Sequence, residues 1–434
     1  MEIFRSVFPF NGKILGPTLN LSELDCVPSL ESKLAIGGFN MKRMIIFLFF
    51  AALAVSAQAG FEDEVIFSRS RTEYEMVTLT RRIGGLNRPW AAAFPGENQY
   101  LITERAGRLL FIDENGHRHE VSGLPDDLVA INQGGLLDIV LHPEFEENGW
   151  IYMTYSQGTR AATATTLIRA RLDGTTLVDV EQLFTQDRTS SPGRHYGSRI
   201  LFTDSNMLLM TIGDRGTHPE RAQDPLDHAG TVIRLRDDGS IPEDNPFVGN
   251  PRYLPEIFSY GHRNIQGIAM HPITGEIWAT DHGARGGDRL DRIDAGRNYG
   301  WPVATPSLNY RDGTPVSDTR VGFGYVPPVF EILPTLAPSG LAFADASTFP
   351  RWEGDLLAGG LASRQLQRMV PAYGPLSKFK DGQRRITIEG PYLAHSEILL
   401  INQIGRIRDV RTGPGGNVYI LTDESNGGLY RLTP

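Results

Sequence analysis

The chain has 434 residues, enough for one large domain or two ordinary ones, and its 47 glycines and 28 prolines are spread along it rather than gathered in one tract. Such a composition suits many short strands joined by turns. The formal charge of −9 at pH 7 argues against nucleic acid as the main partner, because phosphate backbones bind to basic surfaces.

The first sixty residues predict an export signal preceded by an extension. Met41-Lys42-Arg43 is basic, residues 44–55 are almost wholly apolar and too short to span a bilayer comfortably, and Ala57-Gln58-Ala59 has the small-x-small pattern of a cleavage site. We therefore predict an over-extended reading frame over residues 1–40, a signal peptide over 41–59 that is cleaved after Ala59, and one folded domain over 60–434. The mature protein should be periplasmic or secreted, without a membrane span.

The single cysteine, Cys26, lies in the predicted extension. Disulfide bonds are therefore expected to play no part in the mature fold, although the exported compartment would permit them.

One pattern recurs along the mature chain: a turn rich in Gly, Asn or Asp, a short apolar strand, and then an acidic or glycine-containing loop. It occurs six times, in Glu97–Glu104, Asn148–Tyr155, Ser205–Asp214, Thr274–Asp281, Trp352–Gly359 and Gly415–Asp423. The copies lie roughly 50 to 80 residues apart, a spacing expected when each marks one four-stranded blade. We predict an all-β fold, a six-bladed β-propeller of four-stranded antiparallel blades.

Further strand-like runs fill the intervals between the copies. Runs at residues 108–112, 166–171 and 231–235, with turns at 113–116 and 237–239, predict hairpins. The final run, Gly428–Leu432, is predicted to pair with a strand near residues 74–82 and so close the ring, which leaves few free sheet edges. The longest intervals flank the loop at Asp281, and we expect them to build one rim of the central funnel.

Polar residues occur where the predicted strands begin or end. In chain order they are Gln133, His195, Asp214, the run Arg263-Asn264-Ile265-Gln266, and the pair Arg406 and Arg408. Arg263 offers a planar fork of donors suited to a carboxylate, and the amides both donate and accept. Glycines in the loop Asp281–Asp288 expose backbone carbonyls between acidic residues, as a calcium site prefers. Together these features predict a pocket for a planar anionic ligand beside a hard cation.

These stretches resemble the soluble quinoprotein sugar dehydrogenases, the glucose/sorbosone dehydrogenase family that uses pyrroloquinoline quinone (PQQ). The resemblance extends from about Gly84 to Leu432. It rests on several dispersed pieces in the family's order: Gln133-Gly-Gly-Leu-Leu with His142-Pro143, Gly261-His-Arg-Asn-x-Gln-Gly267, Asn298-Tyr-Gly-Trp-Pro302 and Arg406-x-Arg408-Asp-Val410. Trp301 in the third piece is expected only to pack.

The resemblance implies an enzyme that oxidises aldose sugars at C1 to lactones by hydride transfer to PQQ. It implies His195 as the general base, Asp214 as the carboxylate that orients this histidine, and Arg263 as the cation that stabilises the reduced quinone. The implied cofactor ligands are Arg263, Asn264, Gln266, Arg406, Arg408, Gln133, Thr335 and Arg364. Calcium is implied at the backbone oxygens of Gly283 and Ala284, where it polarises the quinone as a Lewis acid.

The chain departs from the family pattern at three positions. No lysine occurs in Gly359–Arg364, where a cofactor ligand is expected, and Arg364 is the nearest cation. Arg194 precedes the general base in place of the aspartate of glucose-specific members, which favours a broader range of aldoses. Arg289 follows Asp288 where a carboxylate would bind a second, structural calcium, so that site is not carried over.

Two other functional classes stay open. A calcium-dependent lactone hydrolase can use the same propeller, and it would hold its metal through several carboxylate and amide side chains. A non-catalytic propeller that binds sugars or proteins would be free to lose His195 and Asp214. The sequence has no Gly-x-Ser-x-Gly, His-Glu-x-x-His, Walker or dinucleotide-binding motif, which disfavours nicotinamide and ATP enzymes. The expected partners are a small aldose and an electron acceptor, in a monomer or homodimer.

Overall fold

Short antiparallel strands account for almost all of the regular structure. The computed structural model describes residues 60–434 except 192, 204, 205, 375, 381–383 and 389, and its side chains outside residues 375–389. The predicted extension, the predicted signal peptide and Cys26 lie outside the described residues. Within them, the helices are α1 (Phe145–Asn148) and three 3-10 turns at Pro219–Gln223, Pro350–Trp352 and Pro414–Gly416. No helix of this part of the chain is long and apolar enough to cross a membrane.

The strands form six blades arranged in chain order around a central channel, as predicted. Blade 1 contains β3 (Pro89–Gly96), β4 (Gln99–Glu104), β5 (Arg108–Ile112) and β6 (Arg118–Val121). Blade 2 contains β7 (Leu136–Leu141), β8 (Trp150–Thr159), β9 (Ala162–Asp173) and β10 (Thr176–Thr185). Blade 3 contains β11 (Ile200–Phe202), β12 (Met207–Ile212), β13 (Thr231–Arg236) and β14 (Ile257–Tyr260).

The other three blades follow the same pattern with additions. Blade 4 contains β15 (Ile265–Met270), β16 (Ile277–Asp281), β17 (Asp288–Ile293) and β18 (Phe330–Ile332). Blade 5 contains β19 (Pro338–Phe343), β20 (Leu356–Gly360), β21 (Leu366–Ala372) and β24 (Tyr392–Leu399), with the hairpin β22 (Leu376–Lys380) and β23 (Arg384–Ile388) between the last two. Blade 6 contains β25 (Ile407–Thr412), β26 (Val418–Thr422), β27 (Gly427–Thr433), β2 (Met76–Leu86) and β1 (Glu64–Arg71).

The six predicted repeats overlap the second strands of the six blades, namely β4, β8, β12, β16, β20 and β26. These strands read as nearly continuous apolar runs because both faces of each blade are covered by neighbouring blades. In β12, for example, Leu208 and Met210 pack toward blade 2, whereas Leu209 between them packs toward blade 4. Successive side chains of a strand point to opposite faces, so one strand contributes to two interfaces. Each of the six blade interfaces accordingly has its own apolar cluster.

The two ends of the chain meet in blade 6 and close the ring. Strand β2 pairs antiparallel with β27, with Leu79 opposite Leu432 and Arg81 opposite Tyr430. This confirms the predicted closure by the final run. Because β2 precedes blade 1 in the chain, the pairing also ties blade 6 to blade 1 without a further connection.

The blades direct two kinds of segment to one end of the channel, which we call the upper mouth. The inner strands β3, β7, β11, β15, β19 and β25 begin there, and the second strands end there. The 36-residue connection between β17 and β18 (residues 294–329) also reaches the upper mouth. Asn298 bridges Tyr260 at the end of β14, and Leu308 bridges Arg285 after β16. The expectation that a long interval builds one rim is met by this connection.

We predict that ring closure contributes measurably to stability. Leu79 of β2 is fully buried in the cluster between blades 5 and 6, so Leu79→Ala should lower the free energy of unfolding by about 2–5 kcal/mol. Val65 of β1 is 56% exposed, and Val65→Ala should change stability by less than about 0.5 kcal/mol. Denaturant midpoints of the two variants measure the difference; equal midpoints would contradict this account of the closing strand.

Candidate functional site

A cavity of about 250 Å³ opens at the upper mouth, and all six blades contribute to its wall. Seven of the predicted site residues line it: Gln133, His195, Arg263, Asn264, Gln266, Arg406 and Arg408. The wall also contains ten residues not singled out from the sequence as lining it: Trp90, Arg105, Leu137, Tyr196, His282, Tyr310, Ala337, Leu361, Ala362 and Asp423. Residues up to 333 positions apart in the chain, Trp90 and Asp423, therefore meet around one space.

His195 and Asp214 form a buried hydrogen-bonded pair at this cavity. His195 Nδ1 lies 2.6 Å from Asp214 Oδ1, and the backbone N–H of His195 donates to Gln133 Oε1 at 2.8 Å. Strand β12 positions Asp214, which follows it by two residues, whereas His195 lies in the segment that leads into β11. A carboxylate at Nδ1 keeps the proton on that nitrogen, so the lone pair of the neutral ring is on Nε2.

The surroundings favour a neutral His195 beside an ionised Asp214. Burial and then the positive charge of Arg263 lower the pKa of His195, and they outweigh the hydrogen bond that His195 donates to Asp214, which acts in the opposite direction. Burial acts to raise the pKa of Asp214, but the hydrogen bond with His195 and the charges nearby hold it below its ordinary value. Near neutral pH the pair can therefore accept a proton at Nε2.

Trp301 contacts the second oxygen of the same carboxylate. Its indole N–H donates to Asp214 Oδ2 at 2.7 Å, while the backbone N–H of Gly216 donates to Oδ1 at 2.7 Å. The expectation that Trp301 only packs is therefore wrong. The Asn-Tyr-Gly-Trp-Pro motif identified the residue but not its partner, because the two are 87 residues apart and meet only through the long connection of blade 4.

The guanidinium of Arg263 lies between His195 and the loop after β16. Its Nη2 is 3.3 Å from His195 Nε2, its Nη1 donates to the carbonyl of His282 at 3.4 Å, and its centre is 5.3 Å from the ring of Trp301. The buried carboxylate of Asp281 fixes the backbone here, because it accepts the N–H groups of Arg263 at 2.9 Å and Asn264 at 2.6 Å. The charge of Arg263 is thus held next to the atom that would take a proton.

Asn264 and Gln266 connect blade 4 to its neighbours across the cavity. Asn264 Oδ1 accepts the N–H of Gly197 at 3.0 Å, and Gln266 Nε2 donates to the carbonyl of Gly197 at 2.9 Å. Gln266 Oε1 also accepts a hydrogen bond from Arg408 Nη1 at 2.8 Å. Both amides therefore help to position the His195 segment and Arg408 in addition to lining the cavity.

The cavity wall is basic although the protein is acidic. Among its lining residues four are arginines and one is an acid: Arg105, Arg263, Arg406 and Arg408 against Asp423. Asp423 Oδ2 lies 3.4 Å from Arg406 and 3.2 Å from Arg408. Burial lowers the pKa of Arg408, and its Nε is a buried donor with no hydrogen-bond partner among the described residues. Guanidinium groups in excess over carboxylates suit a polyanionic ligand.

The repeats already contained a signal for part of this wall. Four of the six second strands end in, or are soon followed by, a buried acid at the upper mouth: Glu104, Asp214, Asp281 and Asp423. Arg105 directly follows the first of these acids. Aligning the six copies by their final residues would have pointed to Arg105 and Asp423 as neighbours of the cavity.

The predicted calcium loop is held by its own acidic residues. Asp288 Oδ1 accepts the N–H of Gly283 at 2.9 Å, and Oδ2 accepts the hydroxyl of Thr335 at 2.6 Å and the N–H groups of Leu336 and Ala337. No group of three or more His, Cys, Asp or Glu side chains suited to a metal occurs in the part of the chain that the structure describes. A calcium ion here would thus depend on backbone oxygens such as those of Gly283 and Ala284.

Two further predicted ligands do not line the cavity. Thr335 is exposed, and its hydroxyl donates a hydrogen bond to Asp288. Arg364 is also exposed, whereas Leu361 and Ala362 of the same turn reach the wall. His282, in contrast, lines the cavity; burial lowers its pKa to about 4, and its Nε2 is a buried atom with no hydrogen-bond partner among the described residues.

Comparison with known proteins gives consistent matches. The glucose / sorbosone dehydrogenase family matches residues 86–431. Aldose sugar dehydrogenase YliI of Escherichia coli is 37% identical over 355 residues, which cover 80% of this chain and 91% of that protein. Quinoprotein glucose dehydrogenase B of Acinetobacter calcoaceticus is 26% identical over 422 residues, covering 79% and 84%. The crystal structure of the soluble aldose sugar dehydrogenase from Escherichia coli in the apo form superposes with a TM-score of 0.73 at 35% identity, covering 83% of this chain and all of that one.

We predict that Trp301 tunes the protonation of His195 through Asp214. In the unmodified protein the imidazole should titrate below the ordinary histidine pKa of about 6.5. Trp301→Phe removes one donor from the Asp214 carboxylate, which then stabilises protonated His195 more strongly, so the pKa of His195 should rise. NMR titration of the labelled imidazole measures both values.

The matched control is Trp352→Phe. Trp352 is also buried, but it belongs to the cluster between blades 5 and 6 and is not part of the cavity wall. This variant should lose stability without moving the titration of His195. Equal titration curves for Trp301→Phe and the unmodified protein would show that the contact between Trp301 and Asp214 does not affect the pKa of His195.

Proposed function

Because this chain belongs to the glucose/sorbosone dehydrogenase family, we propose that it is a PQQ-dependent dehydrogenase that oxidises aldose sugars at C1 to lactones. The observation that carries the proposal is that one cavity is lined both by His195, whose ring is held by the buried Asp214, and by four arginines. The first provides a base for a sugar hydroxyl, and the second provides a surface for a cofactor with several carboxylates.

The chemistry of the lining residues fits the cofactor. Arg406 and Arg408 present guanidinium groups, and Asn264, Gln266 and Gln133 add amides that donate and accept. Arg408 Nε and His282 Nε2 are buried polar atoms that a bound polar ligand can satisfy. One of the matched relatives is itself a quinoprotein, which supports the same choice. When bound, PQQ supplies the quinone that accepts the hydride from C1.

The chain's own part in the reaction centres on His195. Its Nε2 takes the proton of the anomeric hydroxyl while C1 loses its hydride and the C1–O bond becomes a carbonyl. Asp214 keeps the Nδ1 proton in place and stabilises the imidazolium that results. Trp301 and the N–H of Gly216 hold both oxygens of Asp214, so the ring stays oriented throughout.

The charge of Arg263 acts on both His195 and the cofactor side of the cavity. Its charge favours the neutral form of His195 before the reaction, because a second positive charge nearby is unfavourable. The same fixed charge stabilises negative charge that develops on the cofactor side of the cavity. Since its contact with His195 Nε2 is long, at 3.3 Å, a sugar hydroxyl can replace Arg263 there at little cost.

The proposal also includes a bound calcium ion and export of the enzyme from the cytoplasm. Calcium takes oxygen ligands, so the backbone oxygens of Gly283 and Ala284 would hold it, and the ion would supply Lewis-acid polarisation. The basic, apolar and small-residue pattern of residues 41–59 supports a signal peptide and hence a periplasmic or secreted enzyme. Of the three classes left open by the sequence, the dehydrogenase is best supported, because the histidine pair and the arginines share one cavity.

The direct test is an activity assay with added cofactor. The purified protein should reduce an artificial dye with a panel of aldoses only when both PQQ and calcium are present. His195→Ala should lower the rate by a factor of about 10² to 10⁴, because general-base catalysis is lost, while PQQ still binds. Absence of turnover together with no spectral change on adding PQQ would reject the proposal, and a fully active His195→Ala would reject the assigned base.

A second test concerns the arginines that face the cofactor. Arg408→Gln should weaken PQQ binding roughly tenfold or more, since a hydrogen bond to a charged group contributes about 1.5–3 kcal/mol. Arg364→Gln is the control, because Arg364 is exposed and does not line the cavity. Titration of PQQ by absorbance or calorimetry measures both. Weaker binding by Arg364→Gln would instead show that this arginine replaces the absent lysine.

A further inference from the structure

A second and larger cavity opens at the opposite end of the channel. We call it the lower funnel; its volume is about 700 Å³. Its wall comes from the later residues of five inner strands, β7, β11, β15, β19 and β25, and from the turns that follow β15 and β19. It lies on the far side of the channel from His195, and none of the residues to which we assign a role in the reaction lines it.

A layer of paired charges separates the lower funnel from the upper cavity. Arg199 Nη1 contacts Asp409 Oδ1 at 2.7 Å and Asp138 Oδ1 at 3.4 Å, and Arg411 bonds both carboxylates from the funnel side. The remaining nitrogens of Arg199 donate to the carbonyls of Gln266 and Arg408 in the upper cavity. Two arginines and two aspartates neutralise each other, so the floor of the funnel has no charge of its own to attract an ion.

The walls above this floor are mainly apolar. Phe202, Ile268, Met270 and Phe343 line the funnel, and Ile273 at its edge is 71% exposed. A concave, largely apolar space of several hundred Å³ has the size and character of a small-molecule site. The apolar part of a ligand would be desolvated here without displacing any of the floor's hydrogen bonds.

The rim has acidic character. Of the ionisable residues that line the funnel in the described part of the chain, only Asp345 and Glu353 lie outside the paired floor. Both are at the opening, in the segment between β19 and β20, and Glu353 is exposed. A ligand whose apolar body fills the funnel would therefore place its outer end beside carboxylates.

We propose that the lower funnel is a binding site for compact apolar amines. The aryl or branched-alkyl body occupies the apolar walls, and the ammonium group faces Asp345 and Glu353 at the rim. The proposal does not depend on the sugar dehydrogenase activity. The two cavities also differ in the charge they select, because the upper one is basic and disfavours a cation.

The test uses three probes that share one apolar body: 1-naphthylmethylamine, 1-naphthylmethanol and 1-naphthoate. Calorimetry with the purified protein should give the tightest binding for the amine, weaker binding for the alcohol and the weakest for the carboxylate. The upper cavity would favour the opposite order because of its arginines. Equal affinities, or tightest binding of 1-naphthoate, would overturn the proposal.

Three variants test whether the amine binds in the lower funnel. Ala346 is exposed and lines the wall, so Ala346→Trp should fill the space and weaken amine binding at least tenfold. Glu353→Gln should reduce the preference for the amine over the alcohol by a factor of about two to five, the effect of one exposed ion pair. Phe323 is fully exposed and does not line the funnel, so Phe323→Ser should change nothing. Amine binding that is unaffected by Ala346→Trp would place the amine elsewhere and refute the assignment.

Discussion

The structure depends on the pairing of the two ends of the described chain. Strand β2 joins β27 in blade 6, and only this pairing turns a row of blades into a ring. A ring gives every blade two neighbours, so both faces of each sheet are buried and nearly every residue of the second strands can be apolar. The same closure makes the inner strands converge on one axis. Without it, the residues of the upper cavity, which come from all six blades, would have no common space to line.

Buried carboxylates hold the residues of the site in position at the ends of the blades. Asp281 and Asp288 bind backbone N–H groups and so fix the segments that contain Arg263 and Thr335. Asp214 fixes a side chain instead, the imidazole of His195. Asp138 and Asp409 hold Arg199 across the middle of the channel. Each acid is satisfied by donors at a blade end or in the channel, which is how the fold retains buried charge without leaving it unpaired.

The electrostatics of the site are local. The whole chain has a formal charge of −9, yet four arginines and one aspartate line the upper cavity. The carboxylates of the protein are therefore mostly elsewhere, including the rim of the lower funnel. The charged layer at Arg199 separates the two cavities of the channel, and these cavities favour ligands of opposite charge. A polyanion is favoured at one mouth and a cation at the other, with a neutral floor between them.

The sequence alone determined the number and order of the blades, because each second strand has the same turn and apolar run, followed by an acidic or glycine-containing loop. It also indicated most of the candidate site, since His195, Asp214, Arg263 and Arg408 are polar residues at predicted strand ends, and the resemblance to the family implied their roles. Trp301 belongs to the site through a contact with a distant segment, and such a contact leaves no spacing in the sequence. The ends of two repeats indicate Arg105 and Asp423, but only the tertiary structure shows that both line the same cavity. Thr335 and Arg364 illustrate the converse: their motifs placed them near the site, but backbone turns directed them outside the cavity wall. Only the tertiary structure decided these positions, because the direction of a side chain at a blade end depends on how the neighbouring blades pack against it.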